Sequence, residues 1–346
     1  MIKVFNDFRK LLDDIMLKCL NKRIVLFGYG RTGQFLEWYA DYYHSIKIDY
    51  IVTDSDARGD IPYNFPVFRD SLFDFDYKDV KDAIVWLATD KVNVENEKIL
   101  IENGYISNET YFDFKTKVFG DNLLSVVEDK SVFAAKSGIR DVQFMEYAEA
   151  LYGLNLVSTV RSENFINSME SAHSYCITTQ KEIFPVLDKI HFHPGNDDGI
   201  FDFGCGKGGA LLTFLDYGFK NVGGVEYEDK LYDILIDNYQ KMELLNSEYY
   251  NIELIHGDAG QLQNELDKYN YFYFFDPFKA DIYIPCIKHI CESYDRKPRK
   301  IILICINPKY NKEILGFNQI KLVNSFVTTT RQKVCNVYLI DNQENI

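Results

Sequence analysis

The sequence predicts an α/β chain folded as two doubly wound parallel sheets, and three observations carry that prediction. Short apolar runs alternate with stretches of helical spacing along most of the 346 residues, the signature of repeated strand–helix units. Two glycine-rich turns, GYGRTG at 28–33 and DFGCGKGG at 202–209, each lie between an apolar run and a helical stretch. In both cases the next apolar run ends in an acid, Asp54 for the first turn and Glu226 for the second. Such a layout suits an adenosine-type ligand, because glycines let the backbone approach closely and the acid takes ribose hydroxyls.

The elements follow in order. Val4, Phe8, Leu11, Leu12, Ile15, Met16, Cys19 and Leu20 recur three and four apart, so the chain opens with a helix. RIVLFGYG (23–30) reads as a buried strand, RTGQFLEWYADYYH (31–44) as a helix and IKIDYIVTD (46–54) as a second strand. AIVWLATD (83–90) is a further strand, and NVENEKILIENG (93–104) is a helix that stops at its glycine. This first domain is placed at 1–120. Residues 121–172 hold helical stretches such as DVQFMEYAEALYG (141–153) and polar interruptions, and read as a helical connector or a lid.

The second domain, 173–346, is more regular. A helix in TTQKEIFPVLDKI (178–190) leads through a loop to IFDFG (200–204), and then helix and strand alternate: ALLTFLDYGF, NVGGVEY, KLYDILIDNYQKMELL, IELIHGD. YFYFFDPF (271–278), DIYIPCIKHICESY (281–294) and KIILICINP (300–308) continue the pattern. Two β-rich runs, QIKLVNSFVTTT and KVCNVYLI, close it as a hairpin.

Composition narrows the function. A formal net charge of −14 opposes a sequence-independent nucleic-acid or anionic-membrane partner, which needs basic surface against phosphates. The seven cysteines form no CxxC pair and sit mostly in apolar runs, as reduced thiols of a cytoplasmic protein do. The first twenty residues are broken by acids, unlike a signal peptide, and no apolar run reaches the roughly 20 residues of a membrane span. His191 and His193 lie beside Pro194 and Gly195 in a loop with no clustered third ligand, so no metal is expected.

From about Tyr175 onward the chain resembles the class I S-adenosylmethionine-dependent methyltransferases. DFGCGKGG is similar to that family's first motif, GGVEY to the strand with the ribose-binding acid, HGDA to the third motif and DPF (276–278) to the fourth. The resemblance implies a seven-stranded Rossmann-like sheet ending in an antiparallel hairpin. It implies S-adenosylmethionine as cofactor, with Gly204, Gly206 and Gly208 under its methionine part. Asp202 would orient that loop or take the amino group, Glu226 the ribose and Asp258 the adenine amine. SYCITT resembles the Tyr-x-x-Thr segment of non-SET histone-lysine methyltransferases, which implies that Tyr175 and Thr178 touch the methionine end. DPF departs from the fourth motif of those enzymes and from the DPPY type, so the acceptor does not carry over.

Methyl transfer aligns an acceptor opposite the departing sulfur and removes the acceptor's proton. Asp276, at the end of its strand, is the expected catalytic base, with Pro277 and Phe278 against the acceptor. His173 and His256 are the alternative bases. Taken alone, Glu226 would also serve as a strand end, Asp258 as a helix cap and Asp276 as a cap of the next helix.

The first domain is similar to nucleotide-binding domains of bacterial polysaccharide-biosynthesis proteins, with DSD at 54–56 followed by PYNFPVF. That likeness implies a second nucleotide site on Gly28, Gly30, Gly33 and Asp54 for NAD or a nucleotide-sugar. An unliganded docking module fits the same residues. The leading expectation is a methyltransferase acting on a small molecule or sugar, by O-methylation in surface-glycan or natural-product assembly. The rivals are N-methylation of an amine or protein lysine, a non-catalytic nucleotide-sensing scaffold, and an NAD-dependent oxidoreductase. Self-association stays open.

Overall fold

The structure is a computed structural model describing residues 2–53, 67–69, 82–89, 94–114, 134–135, 142–166, 173–328 and 331–341. The chain forms two compact units: Lys3–Glu128 with Gly138–Ala150, and Met1–Ile2 with Asp129–Ser137 and Leu151–Ile346. Among the described residues no helix is long and apolar enough to cross a membrane.

In the first unit, helix α1 (Lys3–Cys19) precedes β1 (Ile24–Phe27), α2 (Arg31–His44), β2 (Tyr50–Thr53), β3 (Val67–Arg69), β4 (Ile84–Leu87), α3 (Val94–Glu102) and β5 (Tyr111–Asp113). The strands form one parallel sheet in the order β3-β2-β1-β4-β5. Strand β5 escaped the sequence reading because three residues show no periodicity. Helix α1 buries Val4, Phe8, Leu12, Ile15, Met16 and Cys19, whereas the expected stripe members Leu11 and Leu20 are exposed. The ring of Phe8 lies between Phe35 of α2 and both Phe144 and Tyr147 of α4 (Gln143–Tyr152).

The connector read at 121–172 falls largely outside the described residues. Its described parts divide: α4 up to Ala150 clusters with the first unit, and 151–166 with the second. There the short strands β6 (Ala134–Ala135) and β7 (Thr159–Val160) pair antiparallel.

The second unit continues with α5 (Gln180–Lys189), β8 (Gly199–Phe203), α6 (Gly209–Tyr217), β9 (Asn221–Glu226), α7 (Asp229–Lys241) and β10 (Asn251–His256). Two short 3₁₀ turns follow, then β11 (Tyr271–Phe275), α8 (Ala280–Arg296), β12 (Ile301–Ile306), α9 (Asn311–Ile314), β13 (Ile320–Val327) and β14 (Val334–Ile340). They make a seven-stranded mixed sheet, β10-β9-β8-β11-β12-β14-β13. Five strands run parallel; β14 inserts antiparallel between β12 and β13. This is an α/β, Rossmann-like architecture. Strands β8 and β12 are buried along their whole length, which is why β12 reads as an unbroken apolar run and β8 as one interrupted only by Asp202.

The order reverses at β8, where β9 leaves to one side and β11 to the other. In such sheets the crevice beyond the carboxyl ends of the strands at the reversal is where ligands bind. Beneath it, Phe203 stacks on Phe274 with ring centroids 4.4 Å apart and planes 7° from parallel. Phe274→Ala removes one ring from a fully buried pair and should cost about 3–5 kcal/mol. Urea unfolding checks this; a loss under 1 kcal/mol would mean the two rings do not anchor the sheet.

Candidate functional site

The site begins with the turn after β8. Val225 O accepts the N–H groups of both Gly204 and Cys205 at 3.0 Å. Glu226, the last residue of β9, completes the clamp: Oε2 accepts Gly206 N–H at 2.8 Å, and Oε1 accepts Tyr227 N–H at 2.9 Å and Glu228 N–H at 2.8 Å. Burial pushes the Glu226 carboxyl up, the three N–H donors pull it back, and the net displacement is upward. Gly206 has φ +55°, and a Cβ there would come within 2.1 Å of the Tyr175 ring, so only glycine fits.

A cavity of about 350 Å³ opens above this turn, within the roughly 300–1,000 Å³ range of ligand pockets. Of the residues singled out from sequence, Tyr175, Thr178, Asp202, Gly204, Gly206, Glu226, Asp276, Pro277 and Phe278 line it. Gly208 and Asp258 do not. Gly208 faces the core instead, where a Cβ would meet Tyr239 and Leu235 of α7 at 2.5 Å. Asp258 caps the 3₁₀ turn Ala259–Gln261, accepting Gly260 N–H at 2.8 Å. His256 lies outside the cavity as well, paired with Asp229 at 2.9 Å and stacked on Tyr232.

Asp202 is the outlier. It is 4% exposed and faces the cavity, yet its carboxyl makes no hydrogen bond or ion pair among the described residues. Burial, then the neighbouring Glu226, pushes its pKa well above the usual value. The Cys205 thiol is likewise driven up by burial, so it stays neutral beside the acids.

A strap of chain, 154–166, closes one wall. Lys207, 1% exposed, donates from Nζ to Asn155 Oδ1 (2.7 Å), Ser158 O (2.8 Å) and Ser158 Oγ (2.6 Å). Asn238 of α7 receives Asn155 N–H at 2.8 Å and donates back to Asn155 O at 3.0 Å. Tyr175 donates its hydroxyl to Leu156 O at 2.8 Å, and Ile166 N–H reaches Glu228 Oε1 at 2.9 Å. Phe165, at the end of the strap, lines the cavity. Sequence reading passed over Lys207 because a lysine inside a glycine turn reads as solvated, and nothing local shows its partners fifty residues upstream.

The opposite wall is built on β11 and β12. Asp276 (φ +43°) and Asn307 (φ +55°) both take left-handed backbone, and Asn307 Nδ2 donates to Asp276 Oδ2 at 2.7 Å. Lys309 Nζ sits 2.7 Å from the same oxygen, and His173 Nδ1 lies 3.4 Å from Oδ1 and donates to Asp276 O. Burial alone would raise the Asp276 carboxyl, but His173, Lys309 and Asn307 together hold it below the usual range. Its hydrogen bond to His173 raises the imidazole's pKa. Asn307 and Lys309 were missed, although INPK after β12 repeats the pattern of FDPF after β11.

In the first unit, Gly28 takes φ +94°, and a Cβ on Gly33 would fall 2.1 Å from Gly28 O, so α2 seats directly on the turn. Gly30 is the N-cap of α2, and Arg31 turns away to pair with Glu146 of α4. Gly28 packs against Ala88 and Thr89 after β4, and Gly33 against the turn itself; Asp54 lies outside the described residues.

No protein-family model and no curated protein matches the chain. Solved structures that resemble it include a Haemophilus influenzae protein assigned as a methylase (16% identity, 47% of this chain and 100% of that one, TM-score 0.36). Others are the ribosomal protein L11 methylase of Lactobacillus delbrueckii subsp. bulgaricus (12%, 46% and 76%, 0.34) and an NADB-Rossmann superfamily protein of Streptococcus agalactiae (11%, 50% and 72%, 0.37). At these values the likenesses carry no argument about activity.

Two predictions come from the buried charges. Above the usual carboxyl value of 3.8, folded Asp202 keeps a proton that the unfolded chain has released. Rising pH through that window therefore lowers stability by up to about tenfold in the folding constant per pH unit. Asp202→Asn should be more stable than the parent at pH 7 and show a flatter decline; urea midpoints from pH 5 to 8 test this, and a less stable variant would refute it. Lys207→Met leaves the strap's acceptors unpaired and should cost about 1–3 kcal/mol. Hydrogen exchange should quicken at the Asn155 amide, and unchanged protection there would refute the clasp.

Proposed function

We propose that the second unit is an S-adenosylmethionine-dependent methyltransferase whose acceptor is a hydroxyl of a small molecule or sugar, in surface-glycan or natural-product assembly. The observation that carries this reading is the buried Asp202 carboxyl, which faces the cavity beside a glycine turn and has no partner among the described residues. A group so placed favours a cationic donor from a ligand, because an unpaired buried polar group costs about 1–3 kcal/mol. The other residues fit the same cofactor. Glu226 spends three of a carboxylate's roughly four acceptor positions on backbone N–H groups, which leaves room for a ribose hydroxyl. Gly204 and Gly206 keep the floor free of side chains. When bound, the cofactor supplies an electrophilic methyl group on a sulfonium.

The chain's own contribution is positioning and proton removal. With Nδ1–H committed to Asp276, the His173 tautomer is fixed and Nε2 keeps the lone pair that takes a hydroxyl proton. Asp276 itself is held too acidic by its three neighbours to be an effective base near neutrality. Its role is to orient His173, a change from the base role assigned to it by the sequence. Pro277 O accepts His173 N–H at 3.1 Å and ties the segment in place, while Phe278 walls the acceptor side. A base held by a carboxylate favours a hydroxyl acceptor over an amine, whose attack needs a free lone pair first.

Calorimetry on the full chain tests the reading. S-adenosylmethionine should bind, and its affinity should rise with pH, because an ammonium beside Asp202 drives off the proton that the free carboxyl holds. Asp202→Asn should weaken binding by tenfold or more and abolish the pH dependence. His173→Gln should keep the cofactor affinity while turnover on a hydroxyl acceptor drops about 10²–10⁴-fold. A chain that binds no S-adenosylmethionine would end the proposal, and one that binds it without turning over any acceptor would be a sensor.

A further inference from the structure

Strands β11 and β12 end in register, with Phe275 opposite Ile306, so the next residues, Asp276 and Asn307, stand side by side at the carboxyl edge of the sheet. Each is followed by a proline, and each takes left-handed backbone, at φ +43° and +55°. Non-glycine residues persist in that region only where their surroundings hold them there, and such places cluster at functional sites. The two oxygens of the Asp276 carboxylate serve different partners. Oδ1 faces His173 Nδ1 at 3.4 Å, while Oδ2 takes Asn307 Nδ2 at 2.7 Å and lies 2.7 Å from Lys309 Nζ.

A histidine beside a lone carboxylate is drawn toward its protonated form, and an imidazolium cannot accept the proton of a hydroxyl. Asp276 exerts that pull, first through its hydrogen bond to His173; burial and the Lys309 charge oppose it. These two groups, one after β11 and one after β12, are the leading charges that bear on the imidazole. On its own segment Ser174 carries no charge, and Cys176 Sγ lies 3.5 Å from Arg331 Nη1, a guanidinium already paired with Glu182. The other charged groups of the lining, Asp202, Glu226 and Glu228, lie with the glycine turn at and beyond the ends of β8 and β9. Lys309 has 47% of its side chain accessible, so water damps its charge without cancelling it.

We propose that Lys309 is a positioning residue of the base: with Asn307 it holds the far oxygen of Asp276, shares that carboxylate's charge, and leaves His173 Nε2 open for the acceptor's proton. This rests on the reading of His173 as the base and adds what tunes it. Asp276 fixes which nitrogen carries the first proton, and Lys309 sets how tightly the ring holds a second. Lys309 acts through Asp276 and needs no contact with the acceptor.

The test is an NMR titration of the imidazole resonances of the full chain, with no ligand added. His173 is identified among the six histidines by the signal lost in His173→Gln. Lys309→Met should move the His173 midpoint upward by about 0.5–1 pH unit, three- to tenfold in proton affinity, because a cation that opposed protonation is gone. Lys309→Arg should return the midpoint to the parent value, and Asp276→Asn should move it the opposite way. His256, paired with Asp229 outside the cavity, should keep its midpoint in the Lys309 variants. The proposal is overturned if Lys309→Met leaves the His173 midpoint in place or lowers it, or if Lys309→Arg fails to restore it. A shift of His256 along with His173 would mark a general change in structure and would overturn it as well. The titration uses no cofactor, so a failure of S-adenosylmethionine to bind, which ends the methyltransferase reading, is a separate observation from a failure of this coupling.

Discussion

The Glu226 carboxylate, gripping three backbone N–H groups, is the contact on which the rest of the site depends. It ties the end of β9 to the turn that follows β8, so two neighbouring strands and the mouth of the cavity move as one piece. Charge-assisted hydrogen bonds are worth roughly 1.5–3 kcal/mol each, enough to offset the cost of burying an acid in this position. With the turn fixed, Gly206 offers a flat surface, the Tyr175 ring packs on it, and the Tyr175 hydroxyl reaches across to the strap. Lys207, emerging from the same turn, fastens that strap at two residues. One buried acid therefore sets both the floor and a wall of the cavity.

The two walls solve opposite electrostatic problems. Beside the glycine turn the Asp202 carboxyl has no hydrogen-bond or ion-pair partner among the described residues, an arrangement that costs stability. On the opposite wall Asp276 is oversupplied: a histidine, a lysine and an asparagine converge on it. Left-handed backbone at both Asp276 and Asn307 makes this convergence possible, since it turns the two side chains toward each other across adjacent strand ends. Asx residues tolerate that conformation better than most, which is the physical reason the two strand ends read Asp-Pro and Asn-Pro.

Much of this was legible in the chain. The parallel strands β8, β9, β11 and β12 are almost wholly buried, so they stand out in the sequence, whereas the edge strand β10 is only partly buried, and the glycine turn marks the reversal of the sheet. Asp202, Gly204, Gly206, Glu226 and the Asp276–Phe278 segment could be named from order and spacing and do meet in one cavity. Gly208, Asp258 and the base role of Asp276 were read from the order of the motifs, and each residue also has a local contact that only the structure shows. Tyr239 occupies the space beside Gly208, Gly260 N–H engages Asp258, and Lys309 keeps Asp276 acidic.

The sequence by itself determined the alternation of strands and helices, the two glycine turns and the acids that follow them, because those depend on local periodicity and backbone freedom. The closing hairpin was also readable, from its paired β-rich runs. What only the tertiary structure decided was which groups share a space: the strap's attachment to Lys207 and Asn238, the pairing of His173 with Asp276, and the division of charge across the cavity. These contacts join residues far apart in the chain, and burial rather than composition sets how each charge behaves.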